Sequence, residues 1–191
     1  MKSINMDQKL VEQIAEHYRA IIQLIGEDPE REGLEKTPTR AAKALLENTR
    51  GYDENPNAIL NAAMFEHEGC EIVIVKDIEF YSLCEHHLLP FFGKISIGYI
   101  PRGQIVGLSK LGRIVDTFSR RFQVQERLTA EICDLLYSEL SQDVIVTCQA
   151  QHMCMQMRGV EKQGATTVTM QYRGEFDENP ALRTEFLALC K

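Results

Sequence analysis

The sequence predicts an α+β domain: a ββααββ run forming an antiparallel sheet with helices on one face, preceded by N-terminal helices. Three observations carry this. Two successive segments, EIVIVKDIEFYS (71–82) and GKISIGYIP (93–101), are rich in apolar and β-branched residues, as strands are. Two more, DVIVTCQAQHMCMQM (143–157) and ATTVTMQYRGEF (165–176), follow near the C-terminus. Between the pairs, residues 109–120 and 124–140 carry apolar side chains at helical spacing. Strands that arrive in consecutive pairs favour antiparallel pairing, with the intervening helices gathered on one side.

The elements before this run are helical. Leu10, Val11, Ile14, Tyr18, Ile21, Ile22 and Ile25 recur at steps of three and four, and Gly26 follows as a stop. EDPEREGLEK is a polar loop, and Thr37-Pro38 reads as a cap and first helical residue of a second helix ending near Gly51. The expected division is an N-terminal helical appendage over 1–66 and the α+β domain over 67–191.

Composition narrows the function classes. The chain has 191 residues, 44% of them hydrophobic and 26% charged, which suits a globular domain and excludes wholesale disorder. No apolar run reaches the roughly 18 residues that span a bilayer, and MKSINMDQKL lacks the apolar core of a secretion signal. A cytoplasmic protein is expected, with no membrane partner. The net charge of −7 argues against a general nucleic-acid binder. The six cysteines then read as reduced thiols, some of them open to metal.

Chemistry concentrates in three places. Cys84-Glu85-His86-His87 sets a thiol and an imidazole three residues apart, a spacing from which both reach one cation; thiolate and imidazole suit zinc. His152-Met153-Cys154 supplies a second such pair. Read as part of a strand, His152 and Cys154 project from the same face. Three of the five histidines and two of the six cysteines thus lie in two short segments. With no CxxC pair present, a four-cysteine ribbon is not expected. Cys84, His87 and Cys154 make three ligands with one open position, the pattern of a catalytic rather than a structural site. His86 and His152 then remain free to move protons. Two thiolates neutralise the charge of Zn²⁺, which makes an adjacent proton donor more important.

The second constellation is cationic. Ser109 and Lys110 open a predicted helix, Arg113 lies one turn on, Arg158 follows the His-Met-Cys segment, and Arg40 sits on the second N-terminal helix. A helix start with Lys and Arg beside it is either an ordinary solvated face or a site for an anion. The third is Gln125-Glu126 at another helix start. A carboxylate there is either a favourable first-turn charge or an acceptor for two parallel N–H groups of a heterocycle edge such as that of guanine.

In combination, REGLEKTPTRAAKALL, SLCEHHLLPFFGK, YIP followed by GLSKLGRIV, RRFQVQERLT and HMCMQMRGV resemble the GTP cyclohydrolase I family, in order, over roughly residues 20–176. The resemblance implies the tunnelling fold and a homo-oligomer, a decamer of two five-membered rings with sites between subunits. It implies zinc held by Cys84, His87 and Cys154, with His86, His152 and Ser109 as proton-handling residues. It implies Glu126 and Gln125 on the guanine, and Lys110, Arg113, Arg158 and Arg40, with Ser109, on the ribose and triphosphate. The implied reaction is hydrolytic opening of the GTP imidazole ring, formate release, Amadori rearrangement and closure to 7,8-dihydroneopterin triphosphate. Met170 departs from the small or hydroxyl residue the family carries there. Two rivals differ in kind. A tunnelling-fold nitrile reductase of the queuosine pathway would use a cysteine nucleophile and NADPH, and a non-catalytic zinc-stabilised module would close its site with a fourth ligand.

Overall fold

The structure, a computed structural model, describes residues 7–191. The chain divides into two units, one ending at Arg50 and one spanning Gly51–Lys191.

The first unit is a pair of helices. α1 (Gln8–Leu24) starts where the Asp7 carboxylate accepts the backbone N–H of Lys9 at 2.9 Å. It stops at Gly26, whose φ of 88° is the left-handed conformation glycine adopts without strain. The Gly26 and Glu27 N–H groups bond back to Gln23 and Ile22 carbonyls at 3.0 and 3.1 Å, using acceptors the helix end leaves over. α2 (Thr37–Asn48) has Lys36, not Thr37, at its cap. The Thr37 hydroxyl instead donates to the Gly33 carbonyl at 3.4 Å. The two helices pack on each other, with Val11 and Ala42 buried.

The second unit begins with a short turn and α3 (Pro56–Asn61), whose cap Asn55 accepts the Ala58 N–H. Leu60 of α3 is fully buried in the main core of this unit. The unit boundary therefore falls at 50/51, earlier than the expected 66/67. β1 (Met64–Glu66) and β4 (Gln104–Val106) form a small antiparallel ribbon. The main sheet comprises β2 (Val73–Cys84), β3 (Pro90–Tyr99), β5 (Phe122–Gln123), β6 (Val144–His152) and β7 (Thr167–Arg173). Its order is β5-β2-β3-β6-β7, antiparallel except for the β2–β5 pair. α4 (Leu108–Ser119) and α5 (Gln125–Glu139) lie on one face, as the sequence pattern predicts.

The core between helices and sheet follows from strand alternation, with one correction. On β3, Phe91, Ile95, Ile97 and Tyr99 are buried, and on β6, Val144, Val146, Cys148 and Ala150. On β2 the inward residues are odd-numbered before the middle and even-numbered after it. Val73 and Val75 pair with Tyr99 and Ile97; Ile78 and Phe80 pair with Ile95 and Gly93. A bulge makes the switch: Lys76 and Asp77 together oppose Ser96, and Asp77 has a φ of 60°. Leu111, Ile114, Leu128, Ile132 and Leu136 close this core from the helices.

The other sheet face carries a smaller core that the sequence reading lacks. α7 (Glu175–Glu178) and α8 (Pro180–Leu189) bring Phe176 and Phe186 onto Ile145 and Ile100. A Cβ at Gly98 would stand 2.7 Å from the Phe186 ring, so only glycine admits α8 at this distance. Met170 packs against this cluster, which accommodates its larger side chain.

Phe80→Ala should lower stability by about 3–5 kcal/mol, measured as a shift in the urea unfolding midpoint, because it empties a large buried side chain from the main core. Burial pushes the thiols of Cys133 and Cys148 up to about 12. Folding thus holds them neutral, a stabilisation whole below the ordinary thiol value and lost as pH rises towards 12. Unfolding midpoints should therefore fall above about pH 9, and less steeply in a Cys133→Ala/Cys148→Ala double variant.

Candidate active site

The ends of β2, β3 and β6 meet beside the start of α5. β2 stops at Cys84 because the chain reverses there. The His87 and Leu88 N–H groups bond to the Cys84 carbonyl at 3.3 and 2.8 Å, and the Cys84 N–H to the Leu89 carbonyl at 2.9 Å. Leu88, with φ 55°, closes the turn. One helical turn between Cys84 and His87 brings His87 Nδ1 to 3.8 Å from Cys84 Sγ. The turn is tied down at Glu85. Its N–H bonds the Gln123 carbonyl at 3.0 Å and its carboxylate pairs with Arg127. That guanidinium holds the Glu85 carboxyl below its usual range.

Cys154 arrives differently from the expectation. β6 does not continue through it: the last pair with β3 is Phe91↔His152, and β7 pairs only as far as Ala150. Past that point the strand has no partner, because β3 begins at Pro90. The chain rolls into a single helical turn, α6 (Met153–Gln156), and Cys154 reaches the site from that turn, not by strand alternation with His152.

The three sequence-predicted ligands converge. One ligand atom from each of Cys84, His87 and Cys154 lies within 4.8 Å of the others. Such separations suit one cation at bonds of about 2.0–2.3 Å. Burial raises the Cys154 thiol, and the neighbouring Cys84 raises it further. A dication between the two sulfurs removes the cost of ionising both, so the donor set fits a metal.

His86 is exposed, its ring edge-on to His87 and its Nε2 3.8 Å from the Glu85 carboxylate. Arg158 is also exposed and brings Nη1 to 3.3 Å from His87 Nε2. His152 is half-buried, stacked on Phe91 with ring centroids 4.8 Å apart, and burial lowers its pKa. Glu126, exposed on the first turn of α5, lies near enough to His152 to oppose that lowering.

Gln125 is where the structure departs from the guanine-contact expectation. Its side chain points inward, only 1% exposed, with Oε1 2.8 Å from His152 Nε2. Its amide nitrogen donates to the carbonyls of Cys148 and Thr167, both at 3.0 Å. Ser109, Lys110 and Arg113 stand at the start of α4, where Ser109 and Arg113 are exposed. Among the described residues none of the three has a side-chain hydrogen bond or ion pair to this cluster. Arg40 is exposed on α2 in the first unit.

Sequence reasoning missed four supporting residues. Phe91 stacks on His152, Arg127 holds Glu85, and Thr129 and Thr169 share a 2.6 Å hydrogen bond beneath Gln125. Only Thr129, one helical turn after Gln125, carries a local signal; the others depend on strand and helix pairing.

The family model described as GTP cyclohydrolase I matches residues 14–191. The chain is 57% identical to GTP cyclohydrolase 1 of Porphyromonas gingivalis over 177 residues, covering 92% of this chain and 91% of that one. It is 50% identical to GTP cyclohydrolase 1 2 of Pseudomonas aeruginosa, over 93% of this chain and 99% of that one. It is also 50% identical to GTP cyclohydrolase 1 of Drosophila melanogaster, over 95% of this chain and 56% of the longer insect protein. With the family model matching all but the first residues, the chain belongs to the GTP cyclohydrolase I family.

Proposed function

We propose that this protein converts GTP and water to 7,8-dihydroneopterin triphosphate and formate, entering pterin and folate biosynthesis. The observation that carries this reading is the convergence of Cys84, His87 and Cys154, with His152 and Glu126 alongside, in a chain of this family.

In this reading Cys84, His87 and Cys154 hold zinc, the ion that two thiolates and an imidazole favour. Bound there, zinc supplies Lewis acidity and lowers the pKa of water enough for hydrolysis near neutral pH. The protein's own groups do the rest. Glu126 accepts the N1–H and 2-amino N–H of guanine in parallel, a pairing that adenine cannot offer. His152 delivers a proton to purine N7, which makes C8 electrophilic; a half-buried ring of lowered pKa is a ready donor once protonated. His86 and Ser109 move protons in the later rearrangement and ring closure. Lys110, Arg113, Arg158 and Arg40 neutralise the triphosphate as point charges or bidentate forks.

The working form in this proposal is a cytoplasmic homo-oligomer, a decamer of two five-membered rings with sites between subunits. The edge strand β7 supports assembly, since among the described residues no strand pairs with its outer side. Among the described residues no helix is long and apolar enough to cross a membrane.

Incubation of zinc-loaded protein with GTP should release formate and the pterin triphosphate in equal amounts, read by mass spectrometry. Unconsumed GTP at full zinc occupancy would sink the proposal. Changing Cys84, His87 or Cys154 to Ala should remove metal and turnover together, measured by elemental analysis beside the formate assay; full metal in any variant removes that residue from the ligand set. Glu126→Ala should reduce kcat/KM for GTP by roughly 100-fold or more, from the loss of two charge-assisted hydrogen bonds. An unchanged preference for GTP over ATP in that variant contradicts the guanine-anchor role.

A further inference from the structure

The surroundings of Gln125 suit a different task from guanine binding. The side-chain amide is buried and every polar atom of it has a partner. Nε2 lies 3.0 Å from each of two backbone carbonyls, those of Cys148 and Thr167, and 3.2 Å from the Thr169 hydroxyl. Carbonyl oxygens only accept, so this end of the amide is the nitrogen and no flipped assignment is available. The remaining atom is the oxygen, and it faces His152 Nε2 at 2.8 Å. An amide oxygen also only accepts, so His152 Nε2 carries a hydrogen in every protonation state of the ring.

Several contacts make the arrangement stiff. The Thr129 hydroxyl bonds the Gln125 carbonyl at 2.8 Å and sits 2.6 Å from the Thr169 hydroxyl, so α5 and β7 are clamped around the amide. The His152 ring lies flat on Phe91, with 4° between the planes, which leaves the imidazole little freedom to rotate.

We infer that Gln125 is a positioning residue, holding His152 as the Nε2–H tautomer so that Nδ1 is the ring nitrogen that exchanges protons with the substrate. Gln125 takes no proton itself; it decides which side of the ring works. The proton-transfer half of the inference rests on the role proposed above for His152. The tautomer half rests on the geometry alone.

The experiment reads both halves separately. Full-length, metal-loaded protein with ¹⁵N-labelled histidine rings is sedimented and studied by solid-state NMR without substrate, His152 being assigned by the signals lost in His152→Gln. In the wild type the neutral ring should show a protonated Nε2 and an unprotonated Nδ1. Gln125→Met, similar in shape but without an acceptor, should show both tautomers. Thr169→Val, which leaves the amide oxygen on His152, should keep the wild-type pattern. A wild-type ring protonated on Nδ1, or a Gln125→Met spectrum identical to wild type, overturns the inference. Kinetics with GTP should show kcat reduced about tenfold or more in Gln125→Met, with KM within about twofold of wild type. A raised KM at unchanged kcat would make Gln125 a substrate contact and also overturns it. Should Gln125→Met fail to assemble, the wild-type spectrum decides the tautomer. Failure of wild-type protein to turn over GTP refutes the proposed function and the role of Nδ1 that depends on it, while the tautomer is still decided by the spectrum.

Discussion

The bulge at Lys76–Asp77 is the constraint on which the arrangement of this domain depends. A strand shows alternate residues to alternate faces, so one register can place only odd or only even positions in the same core. β2 needs both. Val73 and Val75 lie beside Tyr99 and Ile97 in the main core, and Cys84 must leave the strand on the same side. One extra residue opposite Ser96 reverses the parity between them. The reversal is held in place by the left-handed backbone of Asp77, by its N–H to the Ser96 hydroxyl at 3.4 Å and by its carboxylate beside Lys94. Without it, the hydrophobic half of β2 and the chemical half would face opposite sides of the sheet.

The site forms where strand pairing runs out. Phe91, near the start of β3, pairs with Ser82 on one side and with His152 on the other. Neighbouring strands lie about 5 Å apart, so the ends of β2 and β6 are brought within reach of each other across β3. Each chain then leaves the ladder in a tight turn, one carrying Cys84 and His87, the other Cys154. Backbone hydrogen bonds order both turns, and the Glu85–Arg127 pair anchors the first to α5. The three candidate ligands are thus borne on short reversals fixed to the sheet, which is how a three-residue cluster keeps its geometry.

Burial does opposite things to the two kinds of group at this site. It disfavours the charged form of each, lowering the His152 pKa and raising that of Cys154. A cation would change the balance for the sulfurs by stabilising thiolates. The imidazole is held by neutral partners, an amide oxygen and an aromatic face, with the Glu126 carboxylate near enough to oppose the effect of burial. The polar network under it is complete: Gln125, Thr129, Thr169 and two backbone carbonyls satisfy one another within the apolar core.

Local pattern determined much of this protein. Helical spacing placed α1, α4 and α5, and paired β-branched segments placed the four long strands. The types and spacing of Cys84, His87 and Cys154 point to a candidate metal site, and the fold brings the three together. These features are legible because periodicity and ligand chemistry reside in neighbouring residues. What local pattern did not carry needed partners distant in the chain. The bulge depends on Ser96 across the ladder, the end of β6 on where β3 starts, and the burial of α8 on the absence of a side chain at Gly98. The orientation of Gln125 is the plainest case. A polar residue at an exposed-looking helix start faces inward because two carbonyls from different strands wait there for its amide hydrogens. Sequence determined which groups are present, and tertiary structure decided which way they point, because a hydrogen bond or a strand register is a property of two segments and is written in neither alone.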